Sequence, residues 1–248
     1  MSSTTKTTST TTKTDAIPAT DATPAILAKG LLAAHGRTPV LRDLSLRVES
    51  GATVALLGAN GSGKTTLLAL LAGLRSHHGG ELSVLGHALP AERWALRGKV
   101  GVVSHQPLLY RDLTIRENLD YHARLHGLSA DRTEAVIQEA ELQDRADQPV
   151  GALSRGLTAR ASVARALLAD PPLLLLDEPL ANLDPVAAEL VGALIAPRPG
   201  RTRVIASHDP AQALQESDGV IVLGPSATTR YVGPSDGMTA ADVEALYR

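Results

Sequence analysis

A glycine-rich segment between two apolar stretches carries the residue types in this sequence that are best suited to chemistry. Gly58 to Thr65 reads Gly-Ala-Asn-Gly-Ser-Gly-Lys-Thr and fits the phosphate-binding pattern G-x-x-x-x-G-K-[ST] at every fixed position. Backbone N–H groups of such a loop converge on phosphate oxygens, and a helix that follows adds the positive end of its dipole. Lys64 would reach the outer phosphates, and the Thr65 hydroxyl would hold Mg2+. A plain glycine-rich turn is the alternative, and the flanking strand and helix patterns argue against it.

A run of leucines that ends in two acidic residues is the second chemical signal. Leu173 to Leu176 is followed directly by Asp177 and Glu178. An apolar strand of this kind places its carboxylates at the carboxyl end of a sheet, where α/β proteins bind ligands. Asp177 would hold Mg2+ through water opposite Thr65, and Glu178 would polarise an attacking water as general base. A strand end with a solvated turn is the alternative, which the neighbouring phosphate pattern weakens.

The elements that must position these residues are short strands and one helix. Residues 53–57 predict a buried strand before the glycine-rich loop, and residues 66–74 predict a helix after it. Residues 40–48 alternate between apolar and polar side chains, which indicates a half-buried antiparallel strand, and residues 81–85 predict another. Continuous apolar runs suit strands buried on both faces of a largely parallel sheet. Such runs lie at 100–103, 173–176, 203–206 and 220–223.

The pattern changes to helix between Pro107 and Ser154. Residues 114–117 read Thr-Ile-Arg-Glu, a capping box that predicts a helix reaching about residue 126. A second helix is predicted from about residue 130 to 142. The fold class is therefore α/β, with a mostly parallel core sheet interrupted by a helical insertion at about 107–170.

Composition excludes several classes of partner and site. The 248 residues contain 24 basic and 26 acidic side chains, few aromatics and no cysteine. The near balance of charge and the scarcity of aromatic residues offer little attraction for nucleic acid. The lack of cysteine excludes a thiolate metal site. No apolar run approaches the roughly 20 residues that span a bilayer, so we expect no direct membrane insertion. Residues 1–24 are rich in Thr and Ser and are predicted to be a disordered tail before a domain at 25–248.

Six motifs in one order resemble the ATP-binding cassette (ABC) family over about residues 26–233. They are the Walker A loop (58–65), the Q-loop (103–107), the signature (153–157), Walker B (173–177), the D-loop (181–184) and the switch histidine segment (206–209). The resemblance implies a P-loop NTPase of ABC type with an antiparallel β subdomain and a helical insertion. It also implies ATP and Mg2+ as ligands, and because the sequence has no internal repeat, we expect a single nucleotide-binding unit.

The resemblance assigns roles residue by residue. Glu178, His208 and Gln106 would act in catalysis, with Gln106 also meeting the metal and His208 donating to the γ-phosphate. Residues that would bind nucleotide are Gly58, Asn60, Gly61, Ser62, Gly63, Lys64, Thr65, Thr66, His35, Ser154 and Gly156. The metal would be held by Thr65, Gln106 and Asp177. In the family the signature contacts the γ-phosphate bound to the opposite subunit, so two chains, as a homodimer or heterodimer, would sandwich two ATP molecules.

Three residues depart from the family pattern. Arg155 replaces the first glycine of the signature, and Leu157 replaces its glutamine. Arg155 would either sit beside the phosphate or point to solvent, and Leu157 would weaken cross-dimer hydrogen bonding. His35 stands where an aromatic residue normally stacks on adenine, which would loosen selectivity for the base.

The function implied is the ATPase subunit of an ABC transporter, peripheral on the cytoplasmic face of the plasma membrane through integral-membrane permease subunits. The signature and the short C-terminal region look most like small exporter ATPases, such as the heme-exporter subunit of cytochrome c maturation. Residues 108–110, which follow the Q-loop, would either line the groove that receives the permease or pack ordinarily. The alternatives are a soluble ABC ATPase of DNA repair or translation and a nucleotide-gated regulator with weak turnover.

Overall fold

The computed structural model describes residues 23–225 and 228–247, so the predicted tail at 1–24 lies outside the described residues except for its last two positions. The strands are β1 (Ile26–His35), β2 (Thr38–Val48), β3 (Thr53–Gly58), β4 (Gly79–Val84), β5 (His87–Leu89), β6 (Val100–Val103), β7 (Leu173–Asp177), β8 (Thr202–Ser207), β9 (Gly219–Leu223) and β10 (Thr229–Pro234). The α-helices are α1 (Lys64–Leu71), α2 (Ile115–Leu125), α3 (Ala130–Glu139), α4 (Arg155–Leu167), α5 (Pro185–Leu194), α6 (Pro210–Gln215) and α7 (Ala240–Leu246).

A six-stranded sheet forms the core, in the order β10-β9-β3-β8-β7-β6. Strands β9, β3, β8, β7 and β6 are parallel, and β10 pairs antiparallel with β9. Every residue of β3, β7 and β9 is buried, as their continuous apolar runs predict. Because β3, β7 and β8 are parallel neighbours in the sheet, the segments that follow them meet at one edge.

A separate four-stranded antiparallel sheet has the order β2-β1-β4-β5. In β2 the apolar residues Leu44, Leu46 and Val48 are buried, which confirms the predicted alternation. This sheet shares one apolar cluster with α1 and with residues of β3, β7 and β8, so it packs directly over the core sheet. Strand β1 ends at His35, and its turn into β2 brings that side chain toward the end of β3.

Helices α2, α3 and α4 enclose a second apolar cluster. Helix α2 begins with the predicted capping box, since Thr114 accepts from the backbone of Glu117 and the Glu117 side chain accepts from the backbone of Thr114. Both α3 and α4 pack against α2, and α4 also contacts β6. The predicted α/β architecture with a helical insertion is therefore confirmed.

Candidate active site

The glycine-rich loop follows β3 and leads directly into α1. A Cβ at Gly58 would lie 2.6 Å from the carbonyl oxygen of Leu223, and a Cβ at Gly63 would lie 2.9 Å from that of Val40. Real Cβ atoms essentially never come that close to another heavy atom, so both positions require glycine. Gly63 also has a φ of 106° immediately before α1, a left-handed conformation that glycine adopts without a steric penalty.

Lys64 is buried within this loop. Its ammonium group donates to the carbonyl oxygens of Gly58 at 2.7 Å and Ala59 at 3.4 Å. Burial lowers the pKa of Lys64, while the negative charges of Glu178 and Asp177 act in the opposite direction. An ammonium group has three donors, so one donor stays available for a phosphate oxygen.

Thr65 and Asp177 join the loop to the end of β7. The Thr65 hydroxyl donates to the Asp177 carboxylate at 2.7 Å, and Asp177 is itself buried. Hydroxyl and carboxylate oxygens are ligands that Mg2+ prefers, so this pair fits the predicted metal site. Nowhere in the described part of the chain do three or more His, Cys, Asp or Glu side chains group as metal ligands. A Mg2+ ion here would therefore complete its shell with phosphate and water oxygens.

Glu178 and His208 face each other from adjacent strand ends. The Glu178 carboxylate lies 3.4 Å from His208 Nδ1, and the His208 side chain is 67% exposed. The Glu178 backbone has a φ of 51°, uncommon for a residue with a side chain, and its N–H donates to the Ala206 carbonyl of β8 at 3.0 Å. This left-handed residue directly follows β7, and its side chain, 27% exposed, faces His208.

These elements surround an open cavity of about 430 Å3. The predicted site residues that line it are His35, Asn60, Gly61, Gly63, Lys64, Thr65, Thr66, Asp177 and Glu178. Sequence reasoning missed His105, which also lines the cavity. The predicted neighbour Gln106 is exposed and does not line it, and the Gln106 carbonyl accepts from the Ser104 hydroxyl at 2.6 Å. The sequence signal for His105 is its place beside Gln106, just after β6.

Five further predicted residues lie outside the lining of this cavity, and one of them, His208, lines a neighbouring cavity of about 250 Å3 that Glu178 also borders. Gly58 shapes the base of the loop, and Ser62 is buried with its hydroxyl unpaired among the described residues. Ser154 caps α4, where its hydroxyl oxygen accepts from the Leu157 N–H at 3.3 Å. A Cβ at Gly156 would lie 2.8 Å from Ala187 Cβ, so that glycine permits close packing of α4 on α5.

The two unusual signature residues turn toward their own chain. Arg155 is exposed, as one of its two predicted orientations has it, and its Nη1 also donates to the carbonyl oxygen of Asn182 at 3.1 Å. Leu157 packs against the apolar cluster of the helical insertion. His35, at the predicted adenine position, lines the cavity and lies with Nδ1 3.3 Å from Arg75 Nη1.

Comparison with known proteins connects this geometry to one family. A family model described as ABC transporter matches residues 41–181. Nod factor export ATP-binding protein I of Cupriavidus pinatubonensis is 43% identical over 161 residues, 63% of this chain and 50% of that protein. The protein of the same name in Bradyrhizobium diazoefficiens is 38% identical over 202 residues, 78% of this chain and 65% of that protein. The chain therefore spans between half and two thirds of the length of these relatives.

Solved structures give the same result. An ATP-binding subunit of an ABC transporter superposes with a TM-score of 0.81 and 25% identity, covering 90% of this chain and 100% of that one. A dimeric ATP-binding cassette in a post-hydrolysis state with ADP and Pi superposes with a TM-score of 0.75 and 25% identity, covering 86% and 100%. None of the helices in the described ranges has the length and apolar character required to cross a membrane.

Proposed function

Because this chain belongs to the ABC transporter family, we propose that it binds and hydrolyses ATP and drives an exporter. The observation that carries the proposal is the meeting of four side chains at one cavity. They are Lys64, Thr65, Asp177 and Glu178. A cation, a hydroxyl and two carboxylates in this arrangement suit phosphoryl transfer to water, in which the site positions the phosphates and offsets charge.

Each side chain has a separate role in the proposed hydrolysis. Lys64 and the loop N–H groups bind the outer phosphates, while Thr65 and Asp177 hold Mg2+, which when bound neutralises charge on the phosphate oxygens. Glu178 accepts a hydrogen bond from the attacking water and orients it toward the terminal phosphorus. His208, beside Glu178, donates to the terminal phosphate.

A second copy or a paired cassette completes the proposed site. Ser154 and Gly156 begin α4 but do not line the cavity of their own chain. The exposed amino end of this 13-residue helix presents N–H groups and a partial positive charge that suit a phosphate. Dimerisation would place that end over the partner's nucleotide, and the similar dimeric cassette supports this arrangement.

An exposed apolar patch supports a membrane partner. Leu108 and Tyr110 are 46% and 54% exposed, and Tyr110 stacks edge-on against the 42% exposed Tyr121 at 5.4 Å. Exposed aromatic clusters of this kind are typical of protein interaction surfaces. We propose that integral-membrane permease subunits dock here and place the chain on the cytoplasmic face of the membrane.

The direction of transport is proposed from the relatives, which are named for Nod factor export. Heme export remains a prediction from the signature and has no support in these names. The names of these relatives likewise give no support to the alternatives of DNA repair, translation or nucleotide-gated regulation. We therefore propose export and leave the substrate to the permease.

Substitution of Glu178 by Gln tests the proposal. The amide keeps the shape of the side chain but cannot act as a base, so turnover should fall by about 10²-fold or more while ATP affinity is retained. An ATP-bound dimer should accumulate in size-exclusion chromatography. The matched control is Glu189→Gln on the exposed face of α5, which should leave turnover unchanged. Turnover of Glu178→Gln near that of the wild type would reject the proposal.

A further inference from the structure

One hydrogen bond links the amino end of α4 to the loop that follows Glu178. Arg155, the first residue of α4, donates from Nη1 to the Asn182 carbonyl oxygen at 3.1 Å. Asn182 lies midway along residues 178–184, which connect β7 to α5. Among the described residues, Arg155 is the one side chain of α4 that hydrogen-bonds to this loop.

This loop has an unusual backbone at both Glu178 and Asn182. Their φ angles are 51° and 59°, in the left-handed region that is costly for residues with a side chain. Inside the loop, the backbone carbonyl oxygen of Glu178 accepts from the Ala181 N–H at 3.1 Å, and this bond closes a turn that begins at Glu178. A strained turn persists only where surrounding contacts hold it. The guanidinium of Arg155 donates its hydrogen bond to Asn182, the second of these two residues.

Other contacts hold the two ends of the loop. At its start the Glu178 N–H donates to Ala206 of β8. At its end Asp184 caps α5 by accepting from the Ala187 N–H at 3.0 Å, and Ala187 packs closely against Gly156 of α4. The middle of the loop borders a cavity of about 640 Å3 that Arg155 and Glu178 also line. On either side of Asn182, Leu180 and Leu183 pack against the apolar cluster of the helical insertion, and Arg155 supplies the polar contact to the middle of the loop.

We propose that Arg155 is a positioning residue for Glu178. Arg155 holds the loop at residues 178–184, so that the Glu178 carboxylate keeps its place at the nucleotide cavity. The inference rests on the proposed hydrolysis. Arg155 does not line the nucleotide cavity of its own chain, so it acts through the loop. Because α4 belongs to the helical insertion, the same bond carries the orientation of that insertion to the proposed catalytic base.

Three variants test the inference. Arg155→Gln removes the charge and shortens the side chain, so the bond made by the terminal Nη1 should be lost. Loss of one hydrogen bond should lower kcat about three- to tenfold while KM for ATP stays within about twofold. Arg155→Lys keeps a charged donor and should retain at least about half of the wild-type kcat. Arg160→Gln is the matched control, because Arg160 on the same helix donates to the carbonyls of Ala140 and Glu141, away from the site.

Hydrogen–deuterium exchange without nucleotide supplies a readout that does not depend on hydrolysis. Backbone amides of residues 178–184 should exchange several-fold faster in Arg155→Gln than in the wild type, and Arg160→Gln should not change them. The rest of α4 should keep its protection in both variants. Faster exchange throughout α4 would indicate a general loss of structure and would overturn the positioning role.

The outcomes separate this inference from the proposed function. If the wild type hydrolyses ATP through Glu178 and Arg155→Gln keeps kcat within twofold, the inference fails and the function stands. Equal losses in Arg155→Gln and Arg160→Gln, or no recovery in Arg155→Lys, also overturn it. If the wild type does not hydrolyse ATP, or if Glu178→Gln hydrolyses it as fast as the wild type, the proposed function fails. The catalytic inference then fails with it, whatever the exchange experiment shows for the loop.

Discussion

Ser154 carries two roles that one pair of substitutions can separate. Its hydroxyl oxygen caps α4 by accepting from the Leu157 N–H at 3.3 Å, and its hydroxyl hydrogen is proposed to donate to the phosphate bound by a partner. Ser154→Ala removes both interactions. Ser154→Asp keeps an acceptor for the cap, but it places a negative charge where the phosphate must approach.

The two roles differ in expected size. Loss of an N-cap costs about 1 kcal/mol, which for a domain of this length lowers Tm by about 2–4 °C. A hydrogen bond to a charged phosphate contributes about 1.5–3 kcal/mol, and its loss corresponds to about a 10- to 100-fold fall in turnover. The bond from the Thr158 hydroxyl to the Ser154 carbonyl, at 2.9 Å, remains in both variants.

Thermal unfolding and ATP turnover of the dimer, measured together, test this reasoning. Ser154→Ala should lose both stability and turnover, whereas Ser154→Asp should keep Tm within about 1 °C and lose turnover further. Thr114→Ala is the matched control, because Thr114 caps α2 away from the cavity and should lower Tm alone. Wild-type turnover in Ser154→Asp, or an equal loss of turnover in Thr114→Ala, would refute the phosphate role.

Two further predictions concern Lys64 and His122. Lys64→Ala should weaken ATP binding itself, measured by titration calorimetry. The control Lys99→Ala removes an exposed lysine beside His87 and should leave ATP binding unchanged. Unchanged ATP affinity in Lys64→Ala would reject the assignment of the phosphate loop. Burial, with nearby Arg165 and His126, lowers the pKa of His122 from 6.5 to about 4. The unfolded chain thus binds more protons between these pH values, so stability should be full above about 6.5 and fall toward pH 4. His122→Gln should reduce this loss of stability, measured as the difference in free energy of unfolding by urea between pH 7 and pH 5. An unchanged pH dependence in the variant would contradict the assigned pKa.

The parts of the fold and site that the sequence predicted depend on contacts within a few residues. The strand, glycine-rich loop and helix at 53–71 form one continuous unit, so their spacing alone indicated the loop geometry, although the helix was predicted over 66–74. Asp177 and Glu178 were predicted because an apolar run ends at them, and β7 is buried throughout. Their meeting with Thr65 followed from a general property of parallel sheets, which bring strand ends to one edge.

The parts that the sequence did not predict depend on segments far apart along the chain. His105 lines the cavity because β6 pairs with β7, and its place beside Gln106 was the sequence signal for it. Strand β1 was not assigned from its pattern, and its pairing with β2 is interrupted by register shifts, so its apolar residues do not alternate regularly. The bond from Arg155 to Asn182 joins residues 27 positions apart, and the carbonyl that accepts it has no sequence signature.

The altered signature has a consistent physical effect once these contacts are known. Arg155 donates one of its five guanidinium N–H groups to a carbonyl oxygen of its own chain, and Leu157 adds apolar contact with the cluster of the helical insertion. Both contacts lie within one chain, and the Ser154 side chain takes no part in them. The departures from the family pattern thus favour contacts inside one chain, between α4 and the loop that carries Glu178. We infer that they tie the helical insertion to the core while leaving in place the groups that are proposed to meet a partner's phosphate.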